Sequence, residues 1–209
     1  MTIIGVLGSV HSEKMREEHK YPLSLLKKVI LDFKPDIICA EIRPEDWKKH
    51  LADSNYTGYL GPNEYRNLIL PLCKEHKIDL VPVDWYEDDM VGMQYRDGQS
   101  DEDIAEYEKE LKDIMTRFWD AASSNLPFNS NKFNRVVEEK QDLQKNLNEP
   151  MHRIYWELRN EMMTFRIKNV INNSPNKRIL CIAGAEHCYY YLHELHKVNN
   201  IDIVFPLKH

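Results

Sequence analysis

The chain is poor in the features that mark several large protein classes. Its four cysteines, Cys39, Cys73, Cys181 and Cys188, form no Cys-x-x-Cys pair. Cys39 and Cys181 lie inside apolar runs, where a free thiol behaves as a small hydrophobe. Reduced core cysteines of this kind fit a cytoplasmic protein. No apolar run approaches the ~18 residues that a membrane-spanning helix needs. The N-terminus lacks a basic segment followed by a long apolar one, so no signal peptide is expected. No dense Lys/Arg stripe is present, and the formal net charge is −6 with a pI near 5.9. Neither nucleic acid nor an anionic membrane is therefore an expected partner. The chain shows no internal repeat and no low-complexity tract.

What is present is a globular balance over 209 residues, 42% hydrophobic and 30% charged, enough for a single core with a helical insertion. Five short apolar runs read as strands, at residues 3–7, 36–40, 79–83, 178–183 and 202–205. Most are continuous in Ile, Val and Leu, as in parallel strands covered on both faces. Helical periodicity occupies residues 21–33, 63–76, 101–122, 131–147, 149–172 and 185–198, and Pro44 opens a further short helix. Ser100, three residues before Asp103, marks the start of the helix at 101. The alternation predicts one α/β domain, with a mostly parallel central sheet of about five strands flanked by helices. Residues from about 85 to 150 depart from the alternation. They predict a charged helical insertion over the C-terminal edge of the strands, either a lid that contacts substrate or a solvated decoration.

The strand ends carry the chemistry. The first run leads into Gly8-Ser9-Val10-His11, the second into Glu41-Ile42-Arg43-Pro44, the third into Asp84 and the fourth into Gly184-Ala185-Glu186-His187. Ligands of open parallel sheets bind outside the carboxyl ends of the strands. Parallel strands would thus bring His11, Glu41, Asp84 and His187 to one edge. Gly8 and Gly184 each precede a histidine by three residues, allowing a sharp turn or a close approach there. His187 falls near the start of a predicted helix, whose dipole favours neutral imidazole. Glu186 beside it is the competitor for its role.

Two imidazoles and a carboxylate can hold a divalent ion such as Mn, Co or Zn, with His11, Glu41 and His187 as ligands. They can also act without metal, one histidine as general base and Glu41 orienting it or serving as its acid partner. Asp84 is a ligand, a partner that orients a histidine, or a helix cap. Arg43 can pair with Glu41 or face the same cleft. On the long helix, Ile154, Leu158, Met162, Met163, Phe165, Ile167 and Val170 form an apolar arc that also contains His152, Arg159 and Arg166. Glu157, Asn160, Glu161, Thr164 and Lys168 lie opposite. A guanidinium on a buried face needs an anionic partner. Arg159 is thus a candidate to reach the strand-end carboxylates, or to clamp an oxygen of a substrate. Most of Tyr189-Tyr190-Tyr191 reads as packing, and His193 and His196 as surface residues.

This pattern resembles the TraB/PrgY/Tiki family, within a superfamily that includes ChaN-like and erythromycin-esterase-like proteins. The likeness rests on GxxH at Gly8–His11, on Ala-Glu-Ile-Arg around Glu41, on Arg159-Asn160 followed by Met162 and Met163, and on GxxH at Gly184–His187. It implies a metal-dependent hydrolase or protease-like fold with the histidines and the glutamate in the site. Relatives in the superfamily suggest haem or iron binding, ester hydrolysis, or inhibition of a peptide pheromone.

The expectation is a hydrolase of a small peptide or ester. Glu41, Arg159, His187 and Asp84 would be catalytic, with Arg43 and Arg159 against the substrate. Arg159 would stabilise the oxyanion and Asp84 would orient a histidine. The alternatives are metal-free His/Glu hydrolysis of the erythromycin-esterase type, and non-catalytic binding of a peptide or haem.

Overall fold

The computed structural model describes residues 1–53 and 55–208. Five strands form one sheet: β1 (Thr2–Ser9), β2 (Ile37–Ala40), β3 (Asp79–Pro82), β4 (Arg178–Gly184) and β5 (Ile201–Val204). Their spatial order is β3-β2-β4-β1-β5, and every pairing is parallel. The helices are α1 (Glu13–Glu18), α2 (Leu23–Phe33), α3 (Pro44–Ala52), α4 (Leu70–His76), α5 (Asp101–Ala122), α6 (Asn131–Leu147), α7 (Glu149–His152), α8 (Arg159–Asn173) and α9 (Cys188–Leu195).

The continuous apolar character of the strands follows from burial on both faces. Alternate residues serve opposite layers. Leu7, Ile38, Leu180 and Ile182 face α2 and the α5–α6 pair, which contribute Leu26, Ile30, Phe118 and Phe133. Val6, Cys39, Ile179 and Cys181 face α8 and α9, which contribute Met163, Ile167, Tyr191 and Leu195. All four cysteines are free and buried. Among the described residues no helix is long and apolar enough to cross a membrane. Ser100 caps α5 by accepting the Asp103 amide at 3.1 Å, and α5 spans the predicted residues.

The long helix buries only part of the predicted arc, His152, Met163 and Ile167. Asn160 and Thr164 are fully enclosed with Met163 and Ile167, whereas Ile154 and Phe165 are exposed. At 100° per residue His152, Trp156, Asn160, Met163, Thr164, Ile167 and Ile171 fall within about 120° of one another, so the buried face is narrower than the predicted arc and shifted toward Asn160 and Thr164. The two polar side chains are tolerated inside because each is paired: Thr164 Oγ1 donates to the Asn160 carbonyl at 2.8 Å, and Asn160 Nδ2 donates to the Trp156 carbonyl at 2.8 Å.

Candidate functional site

Strand order decides which side chains meet. β4 lies between β2 and β1, so their C-terminal ends are adjacent, with β3 next to β2. Across this edge the side chains run Asp84, Glu41, His187 and His11. The register sets Ser9 beside Gly184, which aligns the two glycine motifs. Neither motif glycine has a positive φ. Their role is close approach. A Cβ on Gly184 would stand 2.8 Å from His11 Nε2 and 3.6 Å from His187 Cδ2, and one on Gly8 would stand 2.8 Å from the Ala185 Cα.

Glu41 is the hub. Its Oε2 accepts the Gly184 amide at 2.6 Å, and its Oε1 accepts Arg159 Nη2 at 2.8 Å. His11 Nε2 stands 3.6 Å from Oε2, and His187 Nε2 stands 3.8 Å from Oε1. Arg159 also grips Asp84, through Nε to Oδ1 at 2.8 Å and Nη2 to Oδ2 at 3.0 Å. Two carboxylates keep this guanidinium charged, its pKa raised despite burial. Among the described residues Nη1 has no partner, and Arg159 lines the cleft.

The two histidines are held differently. His187 is buried and stacks on Trp156, with ring centroids 4.7 Å apart. Asn160 Nδ2 is committed to the Trp156 carbonyl, so Oδ1 is the atom that faces His187 Nδ1 at 2.7 Å. Nδ1 therefore carries the proton, and Nε2 presents a lone pair to the cleft. Burial pushes the His187 pKa well below the ordinary value, and the charges of Arg159 and His11 push the same way. The short 3₁₀ turn Ala185–His187 precedes α9, so the predicted dipole effect is secondary to burial.

His11 is partly exposed, and its Nδ1 donates to Glu64 Oε1 at 2.7 Å. Ser9 Oγ donates to the same oxygen at 2.6 Å. Burial would lower the His11 pKa, but the Glu64 hydrogen bond and the charges of Glu41 and Glu64 outweigh it, and the pKa is raised. Burial would raise the Glu64 pKa, but the His11 hydrogen bond and charge with the Ser9 bond outweigh it, and Glu64 stays a carboxylate. Arg16 Nη1 lies 3.6 Å from Glu64 Oε2 and donates to the Val10 carbonyl at 2.6 Å, pinning the loop.

His11, Glu41, Asp84, Arg159 and His187, expected at one edge, meet there. Two expected contacts differ. Asp84 holds Arg159 and its own following amide, Trp85 N, at 2.8 Å, and touches neither histidine. Arg43 turns from Glu41 to Asp46 and Asp88, each at 2.7 Å, and covers the Tyr86 ring. A carboxylate one helical turn away satisfies it, because Arg159 already occupies Glu41. Glu186 is paired with Lys140.

Glu64 and Asn160 were missed as the groups that set the histidines. Glu64 stands four and eight residues before Leu68 and Leu72, an acid in line with an apolar stripe, which is a readable signal. Tyr65 beside it donates to the Ile182 carbonyl at 2.8 Å and accepts the Glu41 amide at 2.9 Å, stitching the second and fourth strand ends together.

The donor set suits a resident divalent ion poorly. Both Glu41 oxygens are already accepting, one of them from a cation, and the two imidazoles face different oxygens of that carboxylate. Among the described residues no group of three His, Cys, Asp or Glu side chains converges as a ligand set. Comparison with family models, curated proteins and solved structures gives no match to the chain.

Proposed function

We propose that the cleft hydrolyses a carbonyl ester or amide by histidine acid–base chemistry without a resident metal. The observation that carries this reading is the pair of imidazoles on one carboxylate with proton states set in opposite directions. His187 Nε2, neutral and open, takes a proton from water as the water attacks the carbonyl carbon. Arg159 Nη1 receives the charge developing on the carbonyl oxygen. His11 Nε2, protonated by virtue of Glu64, gives its proton to the leaving group as the tetrahedral adduct collapses. The proton on His187 then passes through solvent to His11, which closes the cycle. Glu41 fixes Arg159 and faces the imidazolium that forms on His187. The substrate is a small ester or peptide. The four unpaired, buried cysteines support a cytoplasmic setting.

The test is turnover of p-nitrophenyl esters and of a dipeptide p-nitroanilide, before and after exhaustive EDTA treatment. Ester turnover that EDTA leaves intact, and that falls by about 10²–10⁴-fold in His187→Ala, is the expected result. Loss in EDTA with rescue by Mn, Co or Zn would return the site to the metal-dependent reading. No turnover of any substrate would reject hydrolysis.

A further inference from the structure

Trp156 lies in a π-helical turn, Arg153–Leu158, that leads into α8, and it is buried. It takes no proton itself, yet it meets His187 twice. Its indole covers the imidazole face, with ring centroids 4.7 Å apart and planes 14° from parallel. Its carbonyl accepts Asn160 Nδ2, the bond that turns Asn160 Oδ1 toward His187 Nδ1. The indole is itself aimed. Its Nε1 donates to the Tyr189 hydroxyl at 3.1 Å, which fixes the ring plane and hence the face offered to His187.

A neutral imidazole gains packing and weak stacking from this face. The imidazolium gains more. When His187 takes a proton, its charge is enclosed among Glu41 from the β2 end, His11 from the β1 end, Arg159 from α8 and Tyr191 from α9. Arg159 and His11 oppose a further positive charge. Burial holds the Tyr191 hydroxyl neutral, and its ring stands 6.2 Å away, tilted by 30°. Glu41 is the carboxylate that faces Nε2, at 3.8 Å, and both its oxygens already accept other donors. Solvent gives little help, since His187 is 5% exposed.

What remains is the negative π face of Trp156. Tryptophan is the strongest aromatic partner of a cation, and the attraction grows when the cation is desolvated. It appears only when the charge appears, so it favours the proton transfer over the resting state.

We propose that Trp156 is a positioning residue that acts through His187, its indole face holding, as a cation–π partner, the imidazolium that forms there. The contact stands on the stacking geometry alone; only the moment at which the charge forms rests on the hydrolytic reading.

Fluorinated tryptophans placed at position 156 alone test it, because fluorine drains the π face and barely alters the shape. The first readout is the proton affinity of His187, followed by NMR of its isotope-labelled ring in the free protein. It is measured on the wild type and on Asn160→Asp, in which a carboxylate at Nδ1 brings the titration to higher pH. The affinity should fall about threefold with one fluorine and about tenfold with three. A role in packing alone would leave it unmoved. A titration that is indifferent to fluorine in Asn160→Asp, or that rises with it, would overturn the proposal whatever the protein hydrolyses.

The second readout is kcat for p-nitrophenyl acetate on the pH plateau of the wild type. It should fall in the same order, by less than the affinity falls, with KM unchanged. Trp156→Phe, which keeps a weaker face, should retain more activity than Trp156→Leu. A shifted titration without turnover would reject hydrolysis and leave the contact standing. Turnover that fluorine leaves unmoved would overturn the part given to Trp156 in the reaction.

Discussion

The two strand ends that read Gly-x-x-His are alike in sequence and opposite in chemistry. At the β1 end, His11 is partly open to solvent and gives its Nδ1 proton to the carboxylate of Glu64. At the β4 end, His187 is buried, stacked on Trp156, and gives its Nδ1 proton to the amide of Asn160. A carboxylate partner stabilises imidazolium, whereas an amide in a dry setting does not. The imidazoles face opposite oxygens of Glu41 with their proton affinities driven apart. The glycines diverge as well: Gly184 keeps the space between the imidazoles clear, while Gly8 lets β1 pack on the turn after β4. A repeated motif can thus present two side chains to one cleft while its surroundings assign them different tasks.

That contrast can be broken most severely at Gly184. Its backbone, φ −50° and ψ 136°, suits alanine, but the added methyl would meet His11 Nε2. Gly184→Ala should lower kcat/KM by about 10²-fold or more while leaving the melting temperature nearly unchanged. Retained activity would mean that His11 is not needed where it stands. The matching change on the other strand should have the opposite profile. In Gly8→Ala the methyl meets backbone at Ala185, so a stability loss of about 1–3 kcal/mol is expected, measured by urea unfolding. A stable Gly8→Ala protein would show that the β1–β4 contact can relax.

The proton states are separated by finer changes. Activity of the wild-type protein should fall as pH rises through the elevated His11 pKa, because the acid form is lost. It should fall again on acidification through the depressed His187 pKa, because the base is protonated. Glu64→Gln removes the charge that raises His11, so the alkaline limb should move to lower pH. At a pH just above the new limb the loss should be about tenfold, a fraction of a full acid–base contribution. A pH–rate profile with an unmoved alkaline limb would take the acid role from His11. The smallest effect is expected for Asn160→Asp. A carboxylate at His187 Nδ1 raises its pKa, so the acid limb should move to higher pH, while loss of the Nδ2 donor to the Trp156 carbonyl should lower the melting temperature. A shift in the alkaline limb instead would exchange the two roles.

Much of this was readable from residues alone, and the remainder fails for identifiable reasons. The strands announce themselves because both faces are buried and the runs are continuous. Their polar ends announce the cleft, because parallel strands deliver successive C-termini to one edge. Strand order is carried by contacts between residues more than 130 positions apart, such as Gly8 with Ala183, which no local pattern encodes. Asn160 reads as solvent-facing because the exposed Ile154 and Phe165 draw the predicted apolar arc away from it, whereas the buried face centres on Ile167. Arg159 was legible as a buried charge seeking an anion. Arg43 misled because its nearer acid, Asp46, stands only one turn along the next helix.

The position of β4 has a consequence for the order of assembly. β1 and β2 are made early, yet they do not touch one another; the strand that joins them begins at Arg178. Until it arrives, both present unpaired hydrogen-bonding edges toward the gap, and closing that gap means closing a very long loop. Without β4, His11 and Glu41 sit on strands that share no pairing. The strand that makes them neighbours is also the one that leads into His187, so the candidate site is complete only when the sheet is whole.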